Sequence, residues 1–382
     1  MSTGLLLRGL AAATLLVVGP AGAPSAPRHA TEEGRAGSAD SAFVALVTRL
    51  SEPGGFFDSD NLISNEASYL HPLGRLRALG TTGGAYLGVG PDQNFSYIAH
   101  VRPRIAIIID IRRDNLLQQL LYKATFSLAS TRAEFLALLF GRMPPTDPRA
   151  LAGATPDRLL DWVEAQPTDA VTAASAQARV LAAVRAIGLP LDARDTATIR
   201  RFHAEFIENG PSLRYTSIGR PPRPFYPTYR QLVTEHDLQG RQASFLAREE
   251  DYRWLRDFQA RGLVVPVVGN LAGDKALPEI ARYLRERGDS LSVFYASNVE
   301  QYLFRDGIFP RWAENLLQLP RTPRSAVIRS YFGRQWSGPH PNAQPGYFSV
   351  QLVQRVDAFA EQWKKGALTD YWALVTEGVE AP

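Results

Sequence analysis

The stretch that most limits what this chain can become is 85–113, AYLGVGPDQNFSYIAHVRPRIAIIIDIRR. Residues 85–89 are short and apolar and break at Gly88 and Gly90. Residues 105–111 are nearly all Ile and Ala and carry one acid, Asp110. A continuous apolar run of this kind suits a parallel strand buried on both faces. Residues 94–101 between the two runs have the length of a small crossover helix. Together they predict one βαβ unit with a right-handed crossover.

The chemistry follows from that arrangement. Gly88 and Gly90 allow a sharp turn and a close backbone approach to a ligand. Free N–H groups at the next helix start would face the same ligand, which places Gln93 and Asn94 beside it. Asp110 stands twenty positions after Gly90, followed by Ile111 and Arg112, and these three with Asp92 are expected among the cofactor contacts. A strand-end acid at that distance accepts hydrogen bonds from ribose hydroxyls in nucleotide-binding sheets. Gln93 occupies the third glycine position of a G-x-G-x-x-G pattern, and Asp92 brings a negative charge to the place of a pyrophosphate. The expected ligand is therefore a nucleoside without phosphates.

GVGPDQ followed by a helix and a strand ending in Asp110 resembles the cofactor half of class I methyltransferases, which bind S-adenosylmethionine. More narrowly, the chain from about 61 to its end resembles an uncharacterised bacterial family of methyltransferase-like proteins. NLISNE, GVGPDQNFSYIAHVRP and FYASNVEQYL carry that resemblance. It implies an α/β, Rossmann-like fold with a mostly parallel sheet and helices on both faces. It also implies S-adenosylmethionine as cofactor, and substrate contacts from Asn65 and Glu66 in the segment ahead of the first strand. Read from the residues alone, that segment equally suits helix capping by Asn61 or Ser64. Leu87 stands where the methyltransferase motif has an acid before its first glycine.

Two later strand ends add candidates. Residues 263–268, LVVPVV, read as a buried strand in which Pro266 is a flaw for a central position. Asn270 in the turn after it is placed to read an adenine edge or a ribose, or to serve as a turn residue. Residues 290–296 form the next strand, followed by Asn298 and Glu300. The resemblance implies that this position contacts the acceptor; Asn298 and Glu300 would hold it, and a carboxylate there suits a general base or a group that orients an amine or hydroxyl. The alternative is that Asn298 caps the next helix and Glu300 favours its dipole. Residues 347–353 read as a last, antiparallel strand.

Residues 1–26 look like a secretory signal: Arg8, an apolar run over 9–18, and Ala21-Gly22-Ala23. The run is short of the roughly 20 residues of a spanning helix. Residues 27–41 read as a flexible linker. Residues 42–145 and 246–382 make the two parts of the α/β domain, and 146–245 a helical insertion folded as a cap over the sheet edge. One long helix is expected over 115–141. The chain is expected to be exported, periplasmic or extracellular, if the leader is real, and cytoplasmic otherwise.

Composition excludes several chemistries. With no cysteine, disulfides, thiolate metal sites and thiol nucleophiles are out. The net charge is +4 and the arginines are scattered, so no nucleic-acid partner is expected. His203 and His236 are isolated, so no metal site is expected. There is no G-x-S-x-G, H-E-x-x-H or G-x-x-x-x-G-K-[ST]. No stable membrane span is expected once the leader is gone. Two functions remain: methyl transfer from S-adenosylmethionine to a small-molecule or unknown acceptor, or an exported, non-catalytic binding or structural role on the same fold.

Overall fold

The computed structural model describes residues 32–333 and 339–380. The expected leader, the first part of the expected linker and residues 334–338 lie outside the described residues. Six strands form one sheet: β1 (Ala85–Gly88), β2 (Ile105–Asp110), β3 (Val264–Val268), β4 (Leu291–Ser297), β5 (Arg321–Phe332) and β6 (Ser349–Arg355). Their order is β3-β2-β1-β4-β5-β6. Pairing is parallel from β3 through β5, and β6 runs antiparallel to β5. Helices pack around this sheet, so the protein is α/β with a mostly parallel sheet.

The apolar runs explain the centre. Every residue of β1 and β3 is buried, and β2 and β4 are buried up to their last residue. That last residue is polar in both strands, Asp110 and Ser297. Buried parallel strands thus end by presenting polar groups at one rim of the sheet. Pro266 is accommodated because β3 is an edge strand, paired among the described residues only with β2. Leu263 and Gly269 bond to β2, so the alternating pattern turns the Pro266 nitrogen outward, where no ladder bond is lost.

Two elements depart from expectation. The helix over 115–141 is two helices, Arg113–Leu128 and Arg132–Leu139. Apolar spacing runs through the join, but Thr131 and Glu134 form a reciprocal capping box there. Glu134 N donates to Thr131 Oγ1 (3.2 Å) and Thr131 N donates to Glu134 Oε2 (3.1 Å). Two otherwise orphaned donors are satisfied, so a new helix starts. The second departure is the linker: the first helix already begins at Glu32 and runs to Leu50.

Within 146–245 the α-helices are Pro156–Glu164, Ala170–Ala186, Ala193–Asn209 and Tyr229–Thr234. Ala170–Ala186 and Ala193–Asn209 pack on helix Arg113–Leu128, which itself packs on β2 and β3. Buried Arg132 ties this region down. Its guanidinium donates to the carbonyls of Leu246 (2.7 Å) and Ala152 (2.7 Å) and to Glu249 Oε2 (2.9 Å). Among the described residues, no helix is long and apolar enough to cross a membrane.

Thr131→Ala removes one half of the capping box. The expected loss is about 1 kcal/mol of stability, read as a lower urea midpoint with an unchanged slope.

Candidate functional site: a cleft at the strand ends

β1 lies between β2 and β4, so the chain leaves it in one direction and returns on the other side. Loops at the carboxyl ends diverge at such a switch point and leave a crevice. Here the crevice is a cleft of about 260 Å³, lined by Gly90, Asp110, Asn270 and Asn298 from the ends of β1, β2, β3 and β4. Its volume lies just below the usual span of small-molecule pockets, roughly 300–1,000 Å³.

The loop after β1 is shaped by the Asn94 side chain. Its Nδ2 donates to the carbonyls of Val89 (2.9 Å) and Pro91 (2.8 Å), and its Oδ1 accepts from the Tyr86 hydroxyl (2.8 Å). A Cβ at Gly88 would run into Asn94 Oδ1 and come within 2.8 Å of the Tyr86 hydroxyl. Gly90 has φ of 84°, open to glycine at little cost. Its carbonyl accepts from Asn115 Nδ2 (2.9 Å) and Gln119 Nε2 (3.1 Å). Gly88 and Asn94 therefore build the turn, while Gly90 and Gln93 line the cleft.

Asp92 is turned away from it. The carboxyl is buried beside Tyr229, and that burial pushes its pKa up to about 7. Its charge does not stand on the cleft wall, so it does not bar a phosphate as the sequence suggested. Gln93 is the informative member of the loop. It is 6 % exposed; its Nε2 donates to the Tyr295 hydroxyl (3.2 Å), and its Oε1 is buried with no hydrogen-bond partner.

At the end of β2, Asp110 and Arg112 are locked together. Asp110 Oδ1 accepts from Arg112 N (2.9 Å) and Nε (3.1 Å), and Oδ2 accepts from Nη2 (2.8 Å). Arg112 also donates through Nη1 to the carbonyls of Ser59 (3.0 Å) and Asp60 (2.6 Å). Its pKa is raised: burial works against the charge, and the Asp110 carboxylate more than restores it. Ile111 lines the cleft beside them. The chain over 51–61 thus forms a strap across the strand ends. Glu52 N donates to Val268 O (2.9 Å) and Gly55 N to Ile111 O (2.7 Å). Glu52 Oε1 accepts from Asn270 N (2.7 Å) and Oε2 from Ala276 N (3.1 Å). On this strap Phe56 stands 79 % exposed and lines the cleft, as does Asn61, a non-glycine residue at φ 50°.

Asn270 Oδ1 accepts from Ala272 N (2.9 Å), a turn of its own making, while its Nδ2 has no hydrogen-bond partner among the described residues. Asn65 lines the cleft close by in sequence to Glu66, which lies at the cleft floor. Glu66 accepts from the Tyr295 hydroxyl (2.5 Å), from Ser297 Oγ and from Gln351 Nε2 (3.0 Å). Burial raises its pKa, and these neutral donors only partly offset that. Ser297 holds φ of 53°, a conformation that costs a serine free energy and is retained most often at functional sites.

Asn298 lines the cleft and makes no side-chain cap. Glu300 does not line it. Helix Val299–Arg305 turns its carboxylate inward, fully buried, to accept from Trp312 Nε1 (2.7 Å) and Arg329 Nε (2.6 Å). A group locked in a buried ion pair away from the cleft cannot act as a base on a ligand there; Glu300 fastens the helix to β5. Sequence reasoning missed Glu52, Phe56 and the Gln93 to Glu66 linkage. The Gly54-Gly55 pair was the available signal for the strap, since a Cβ at Gly55 would fall 2.7 Å from Ile111 Cγ1.

The fold and this cleft define an α/β protein with a ligand-sized crevice at the carboxyl rim of its sheet. The chain belongs to the family described as "Domain of unknown function (DUF7790)", whose model matches residues 62–143 and 210–377. The match covers the cleft-forming strands and passes over 144–209. No curated protein matches the chain.

Asp92 has an ordinary pKa of 3.8 when unfolded and about 7 when folded. The native state then keeps a proton that the unfolded chain releases, so this group's contribution falls as pH rises from about 4 to about 7. Asp92→Asn should match the wild type near pH 4 and exceed its stability near pH 8 by up to about 4 kcal/mol. Parallel urea profiles at the two pH values would contradict this. Glu300→Ala strands Arg329 in the core and should cost about 3–5 kcal/mol, without altering ligand affinity of the folded fraction measured by calorimetry.

Proposed function

We propose that the cleft binds a nucleoside ligand, S-adenosylmethionine or a relative, and that the protein is methyltransferase-like. The observation that carries this reading is the convergence of the Gly90 backbone and the Asp110 carboxylate on one crevice at the switch point of the sheet. Such a pairing suits a ribose held over a bare loop. A carboxylate offers about four acceptor positions. Arg112 takes two on Oδ1 and one on Oδ2, which leaves one for a ribose hydroxyl. Asn270 Nδ2 offers a donor for a base edge or a second hydroxyl, and exposed Phe56 offers a ring for stacking. When bound, S-adenosylmethionine supplies an electrophilic methyl group. The chain's own contribution would be to orient the acceptor, with Asn65, Asn298 and Glu66 at hand.

The second reading is an exported binding or structural protein that keeps this fold without the reaction. Two observations favour it. Glu300 is out of reach of the cleft, and Asp110 is largely engaged by Arg112. An exported protein would also be parted from a cofactor made in the cytosol.

The test is calorimetric titration of the purified chain with S-adenosylmethionine. Saturable binding below about 1 mM, weakened about tenfold or more by Asp110→Asn, is the expected result. Silence at 1 mM, in both heat and thermal shift, removes the nucleoside reading. Unchanged affinity in Asp110→Asn places the ligand elsewhere.

A further inference from the structure

The floor of the cleft has acceptors in excess of donors. Glu66 is a buried carboxyl whose partners are two hydroxyls and an amide, from Tyr295, Ser297 and Gln351. No Lys, Arg or His among the described residues forms an ion pair with it. Buried carboxylates ordinarily have a cationic partner. Gln93 adds an unmet acceptor. Its Nε2 is committed to the Tyr295 hydroxyl, which in turn donates to Glu66, so its Oε1 is the free end, buried and without a donor. Both residues line the same cleft. One hydrogen-bonded row, Gln93 to Tyr295 to Glu66, thus sets a buried amide oxygen without a donor and a buried carboxyl without a cation in the lining of one cleft. The backbone of Ser297, which completes the row, is held in a costly conformation.

The geometry points to a subsite for an organic ammonium group, held by Glu66 and Gln93. An ammonium group has three donors and one positive charge. It supplies the donor that Gln93 Oε1 lacks and the cation that Glu66 lacks, and no neutral hydroxyl supplies both. The group belongs either to the nucleoside ligand itself or to a separate amine substrate. In the first case the inference deepens the function proposed above and rests on it. In the second it stands without it.

The experiment uses the full chain and two probe pairs, titrated calorimetrically into wild type and Glu66→Gln. The first pair is S-adenosylhomocysteine and its deaminated analogue. The second is 2-phenylethylamine and 2-phenylethanol. In at least one pair the ammonium-bearing member should bind the wild type about tenfold or more tightly than its partner, and Glu66→Gln should abolish the difference. Discrimination in the first pair assigns the group to the nucleoside; discrimination in the second alone assigns it to another substrate. Equal affinities within both pairs, no binding by either ammonium compound, or a preference that survives in Glu66→Gln overturns the subsite. Binding of the deaminated nucleoside reports separately on the nucleoside reading. Circular dichroism melting checks that Glu66→Gln folds. Should it not, Gln93→Leu, which keeps the carboxyl, is expected to reduce the preference several-fold, and an unreduced preference counts against the subsite.

Discussion

The Asn94 amide is the contact from which the cleft takes its form. Three hydrogen bonds fix it between the end of β1 and the following helix, and it fills the space that any side chain at position 88 would need. Without that amide the Val89 carbonyl would lose its donor, at a cost of about 1–3 kcal/mol, and the Pro91 carbonyl would keep only the long bond from Asn94 N (3.4 Å). With it the loop bends where Gly90 can meet Asn115 and Gln119. The cleft wall is therefore rigid by construction: each bend is held by a side chain packed behind it.

The remaining walls come from the strap over 51–61 and from the segment that carries Asn65 and Glu66. The strap is fixed at Arg112, whose guanidinium bridges Asp110 and two strap carbonyls. The cleft's two inner acids consequently have opposite surroundings. Asp110 is balanced by an adjacent cation, and Glu66 is surrounded by neutral groups alone. A ligand spanning the crevice would meet a neutralised end and an end that favours positive charge.

The central strands were readable in the sequence because burial on both faces leaves a nearly pure apolar run, as in IAIIID. Their polar last residues were readable for the same reason: a break in such a run stands out. Side-chain direction was not readable. Asp92, Gln93 and Asn94 are consecutive, yet one is buried away from the cleft, one lines it and one holds the turn; the angular step of the backbone separates them. Glu300 was misplaced because helical phase, set by where the helix starts, turned it toward Trp312. The division after Leu128 escaped an argument from apolar spacing, since Thr131 and Glu134 act through backbone donors that hydrophobic pattern does not register. The pairing of Asp110 with Arg112 joins residues two apart at a strand end, where no periodic rule applies.

One consequence of the sheet's outline concerns self-association. At β3 the outward main-chain groups include a proline nitrogen, and Val268 is already engaged by Ser51 and Glu52. At the opposite margin Glu380 N bonds to Val353 O. Strand-on-strand growth requires a row of vacant main-chain donors and acceptors. Both borders interrupt that row, so assembly of several copies by sheet extension is disfavoured.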